Sequence, residues 1–133
     1  MHKIISLAAA IAFGTLSITA AFAEKEERVE HYAAKEIASK EEALKLLVED
    51  RDKIEKLMAP ETLNTTHMEA VHEITYTLEA CVEMLMKEKT TSKTALEDLD
   101  EAVQALHYAS EKHSEAETRE WFKAFNTALT KIN

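Results

Sequence analysis

The sequence has little of what turns or cross-links a chain. Its 133 residues include one glycine, one proline and one cysteine, and aromatic residues make up 6%. The glycine, Gly14, lies in an apolar N-terminal stretch, so everything after it must fold without one. Hairpin turns, phosphate-binding loops and oxyanion loops lean on glycine, and all three lose their usual residue here. Cys81 has no partner for an internal disulfide, and beside an apolar stripe it reads as a buried, inert thiol. No C-x-x-C-H is present for covalent haem. No H-E-x-x-H is present either, because the second histidine after His72-Glu73 is replaced by Tyr76. Di-iron bundles need two inward Glu-x-x-His pairs, and Glu69 to His72 supplies one. These absences argue for a protein that is not an enzyme.

What remains is rich in Ala, Leu, Glu and Lys, the composition of an all-helical fold. Asp and Glu number 25 against 16 Lys and Arg, for a net charge of -9. Such an acidic chain repels nucleic acid and anionic lipid. His2 and Lys3 precede an apolar run, Ile4 to Phe22, that closes on Ala21-Phe22-Ala23. A basic start, a short apolar centre and an A-x-A site predict a signal peptide over residues 1–23, cleaved before Glu24. Gly14, Thr15, Ser17 and Thr19 interrupt the run, and Glu24, Glu26 and Glu27 replace a basic stop-transfer flank. The expectation is a periplasmic protein with no stable membrane insertion once mature.

Beyond the signal, residues 24–38 form a charged arm or short helix with Val29, Tyr32, Ala33 and Ile37 at loosely helical spacing. Residues 39–133 predict an up-down four-helix bundle. Ser39-Lys-Glu-Glu42 is a capping box for the first helix, which carries Leu44, Leu47, Val48, Ile54, Leu57 and Met58 and stops before Pro60. Thr66-x-x-Glu69 reads as a second box. It opens a helix with Met68, Val71, Thr75, Leu78, Val82 and Leu85 at spacings of three and four. Thr94-x-x-Glu97 and Ser114-x-x-Glu117 mark the starts of the third and fourth helices. The third follows Leu96, Leu99, Val103 and Leu106, and the fourth carries Trp121, Phe122, Phe125, Leu129 and Ile132.

His72 and Glu79 flank the apolar stripe of the second helix, and His107 flanks that of the third. If the intervening turn is centred near residues 90 and 91, the two histidines lie at one level of the hairpin. One facing of the helices makes the imidazoles converge, as in a metal site or a pair of axial haem ligands. The other packs Ala95, Ala102 and Ala109 on Ile74 and Cys81 and splays the histidines apart. The commoner role for such a histidine is a partly buried ring hydrogen-bonded to a neighbouring carboxylate. Met58, Met68, Met84 and Met86 fit core packing better than a thioether site.

Three segments occur in order: Glu27-Arg-Val-Glu-His31-Tyr32, His72-Glu-Ile-Thr-Tyr-Thr-Leu-Glu79 and Leu106-His-Tyr-Ala-Ser-Glu111. In them the chain resembles a family of small secreted proteobacterial proteins of unknown function that carry E-R-x-x-H-[FY], H-E-x-T-Y-T-L-E and L-H-x-A-S-E. The resemblance puts weight on His31, His72, Thr75, Tyr76, Glu79, His107, Ser110 and Glu111. That family has no established activity; the hairpin register itself points to a non-enzymatic binding or interaction protein in which His31, His72 and His107 hold copper or zinc if the arm folds back to their level. Thr75, Tyr76, Glu79, Ser110 and Glu111 would then surround the ligands or line the pocket. The alternatives are a non-covalent haem carrier and a cofactor-free, chaperone-like helical module.

Overall fold

A computed structural model describes residues 31–132. The predicted signal peptide and residues 24–30 of the predicted arm lie outside the described residues. Four helices follow: α1 (Lys40–Leu57), α2 (Thr65–Lys87), α3 (Lys93–Glu111) and α4 (Glu115–Leu129). They form an all-α four-helix bundle in which α1 packs on α2, α2 on α3 and α3 on α4. No described helix is long and apolar enough to cross a membrane.

The helix ends follow local chemistry, and in three places they depart from the expected capping boxes. Ser39 caps α1 by accepting from the Glu42 amide at 3.1 Å, while the Glu42 carboxylate accepts from Ala38 rather than from Ser39. The Thr66–Glu69 box is not the start of α2. Asn64 is the cap: its side chain accepts from the His67 amide at 2.9 Å, and His67 Nδ1 accepts from the Asn64 amide at 3.1 Å. Asn is at least as good a cap as Thr, and its use here leaves the Glu69 carboxylate available for tertiary contacts. Ser92, not Thr94, caps α3, and Ser114 caps α4 as its box predicts.

The α3–α4 turn is a Schellman motif. His113 N donates to Ser110 O and Ser114 N to Ala109 O, both at 3.0 Å. His113 takes φ 57, the left-handed region that glycine usually fills at this position, because the sequence supplies no glycine there.

The core is formed by the predicted stripes of α2 and α3, with Phe122 and Phe125 stacked at the α4 end. One position of α1 departs from expectation. Val48 is 43% exposed, and Asp50 takes the inward place, 3% exposed and 3.3 Å from Lys53. Arg51 turns outward and pairs with Asp52, as a charged residue beside an apolar stripe should. At one end of the bundle Arg119 donates to the carbonyls of Met58, Pro60 and Glu61, satisfying the last turn of α1 and its loop. At the opposite end Lys40 Nζ meets Thr90 in the α2–α3 turn at 2.5 Å.

These anchors decide the conformation of the arm. Tyr32 bonds Glu69 in the first turns of α2, whereas Lys40 sits beside the α2–α3 turn. The eight steps between them reach about 26 Å extended but only about 12 Å as a helix. From Glu69 to the end of α2 is about 27 Å at 1.5 Å per residue. Residues 32–39 therefore run as an extended strap without helix, and Ile37 packs against the core.

Candidate functional site

The hairpin of α2 and α3 takes the facing that brings its histidines together. His72 and His107 are both buried, at 1% and 0% exposure, and their Nε2 atoms lie 3.2 Å apart. Their rings are edge to face, with centroids separated by 4.8 Å. Ala102, on the other flank of α3, faces the groove against α4 with Trp121 and Ala128. The small Ala102 side chain thus leaves room for α4 on that flank.

Each histidine is held from behind by a glutamate of α2. The His107 Nδ1 is hydrogen-bonded to the Glu79 carboxylate. The His72 Nδ1 faces Glu69 Oε2 at 3.4 Å, a longer contact. An ionised carboxylate only accepts, so the network assigns the ring proton to Nδ1 in both residues. Both Nε2 atoms then present lone pairs to the same point. A shared proton or a cation reconciles two such lone pairs, and a lone pair on each is what a metal ion requires. Burial pushes the His72 pKa down, with the contact to Glu69 opposing, so the ring is held neutral.

Glu111, one turn beyond His107 on α3, places Oε2 3.8 Å from His107 Nε2. Glu111 therefore lies close enough to His107 to offer an oxygen donor at the same place.

Thr75 and Ser110 bond the main chain beneath the two histidines. The Thr75 hydroxyl donates to the His72 carbonyl at 2.6 Å, and the Ser110 hydroxyl donates to the His107 carbonyl at 2.9 Å. Each back-bonds the main chain of the histidine three residues earlier. They steady the backbone that carries the imidazoles. Tyr76 does form a wall, its ring centroid 4.7 Å from His107 and 5.4 Å from His72.

Two residues that the sequence reading did not select complete the arrangement. Tyr32 lies edge-on to His72 and Tyr76, at centroid distances of 5.2 and 5.7 Å, and its hydroxyl donates to Glu69 Oε2 at 2.7 Å. Glu69 also accepts from His113 Nε2 at 2.9 Å. Three donors on one carboxylate hold its pKa down at about 2, the His113 bond contributing most, then Tyr32. The same bond pushes the Tyr32 phenol up to about 12, since its proton is held by an anion. The sequence carried both signals. Glu69 stands three residues before His72 on one helix face, and Tyr32 follows His31 in the first motif.

No curated protein and no solved structure matches the chain. The model of DUF6746, a family of unknown function, matches residues 1–133, and the protein belongs to that family.

Proposed function

We propose that the mature protein is a periplasmic, non-catalytic binding protein for a divalent transition metal, zinc or copper(II). His72 and His107 are the central ligands, and Glu111 and His31 complete the donor set. The observation that carries this reading is the pair of Nε2 atoms 3.2 Å apart, each ring backed by a glutamate at Nδ1. Two imidazole nitrogens bound at about 2.0–2.1 Å to one tetrahedral ion lie about 3.3 Å apart, whereas ligands on opposite sides of an ion lie about 4 Å apart. The separation therefore favours neighbouring positions on one ion over the axial pair that a haem requires. Carboxylates behind metal-binding histidines fix the tautomer and raise ligand basicity. Imidazole and carboxylate donors suit zinc and copper(II) rather than copper(I), which prefers sulfur. The A-x-A site at Ala21–Ala23 and the acidic flank after it support the periplasmic location.

The test is elemental analysis and titration with zinc and copper(II) of untagged mature protein, beside a His72→Ala/His107→Ala variant checked for helicity. One ion per chain in the wild type, lost in the folded variant, is the expected result. Wild-type protein that takes up neither ion after incubation overturns the reading, and an iron porphyrin spectrum redirects it to haem.

A further inference from the structure

Tyr32 borders the site without standing among the proposed donors. Its ring packs edge-on against His72 and Tyr76, and its hydroxyl reaches the carboxylate behind His72. It also fixes one end of the extended strap, whose other end is tied by the Ala38 amide to Glu42. We infer that Tyr32 is a latch: acting through Glu69, it fastens the strap against the histidine pair, so that metal occupancy and strap docking strengthen each other. This inference rests on the metal-binding reading above and names the regulation of that same site.

The coupling has a physical route. Glu69 Oε2 is shared between the Tyr32 hydroxyl at 2.7 Å and the His72 Nδ1 at 3.4 Å, while Oε1 is held by His113 at 2.9 Å. The two outer donors orient the carboxylate so that its remaining lone pairs face the imidazole. A cation on His72 Nε2 draws density from the ring, makes its Nδ1–H a stronger donor and tightens its bond to Glu69. A carboxylate held closer to His72 holds the Tyr32 hydroxyl, and the strap with it, more firmly against α2. Linkage then requires the reverse effect: a docked strap raises metal affinity by the factor with which metal stabilises docking. His31, the residue before Tyr32, rides on the same anchor.

Tyr32→Phe keeps the ring and removes only the hydroxyl. Zinc and copper(II), each titrated alone, should bind Tyr32→Phe about tenfold more weakly than wild type, the lower end of the usual loss for a residue behind a ligand. Release of zinc to a chelator should speed up in proportion. In wild type, metal should slow hydrogen exchange of the amides in residues 33–38, and in Tyr32→Phe this slowing should shrink by the same factor. Glu69→Gln should weaken binding as well, and adding Tyr32→Phe to it should cost little more, because the hydroxyl acts through that carboxylate.

Wild-type affinity in Tyr32→Phe overturns the latch while leaving the metal site standing. So do losses that multiply in the double variant, or a strap indifferent to metal. A purely structural tyrosine would lower melting temperature equally with and without metal and leave affinity unchanged. Failure of the wild type to bind either ion overturns the metal reading and the latch together.

Discussion

Glu69 offers a test of the site that needs no metal. Its carboxyl is held at about 2 against an ordinary 4.5. The folded protein therefore keeps it ionised through a range in which the unfolded chain takes up a proton. The stability this supplies is fully present above about 4.5 and is lost as pH falls towards 2. At about 1.4 kcal/mol per unit, the full shift would correspond to about 3 kcal/mol. The side chain is 37% exposed, however, and solvent screening reduces that to about 1 kcal/mol. In a domain of this size that corresponds to a melting shift of about 4–8 °C. The experiment is thermal unfolding of wild type and Glu69→Gln in chelator, stepped from pH 7 to pH 2.5. The other acidic residues destabilise both proteins as they titrate, so the readout is the difference between the two curves. Wild type should be the more stable at pH 7, and its advantage should fade between pH 4.5 and the lower end of the range. A difference that stays constant across the range, or no difference at all, refutes the account of Glu69 as an anion held by three donors.

Two further perturbations separate the readings of particular residues. Asn64→Ala should destabilise the fold by about 1 kcal/mol in urea unfolding, whereas Thr66→Ala should leave it within about 0.5 kcal/mol; the opposite order would restore the Thr66 box. Glu79→Gln retains an acceptor for His107 Nδ1 but removes the charge, and should weaken zinc binding about ten- to a hundredfold in competition with a chelator dye, with little change in helicity.

The fold class was readable because a 3.6-residue period survives any tertiary context. Leu78, Val82 and Leu85, or Leu99, Val103 and Leu106, define a buried face wherever the helix is placed, and all six are buried. Capping was read less well, since Asn64, Thr66, Ser92 and Thr94 are all competent caps and the choice among them depends on where each loop must run. Val48 and Asp50 show the same limit: the stripe of α1 was visible, but its rotation about the helix axis, with Asp50 buried and Val48 exposed, belongs to the assembled bundle. The strap was ambiguous for a different reason. Its conformation follows from the distance between Tyr32's partner and Lys40's partner, and that distance exists only in the assembled bundle.

The candidate site divides along the same line. The sequence by itself determined that His72 and His107 lie at one level of a hairpin, because 1.5 Å per residue on either side of a turn is arithmetic. It left open whether they converge. The tertiary structure decided that, by setting Ala102 on the α4 side of α3 and so turning both imidazoles inward. It also set Glu111 beside His107, turned the Thr75 and Ser110 hydroxyls onto the main chain, and made Glu69 the meeting point of strap, α2 and the α3–α4 turn. Periodicity fixes which residues share a face of one helix. Only the packing of several elements fixes which atoms of different helices point at the same place.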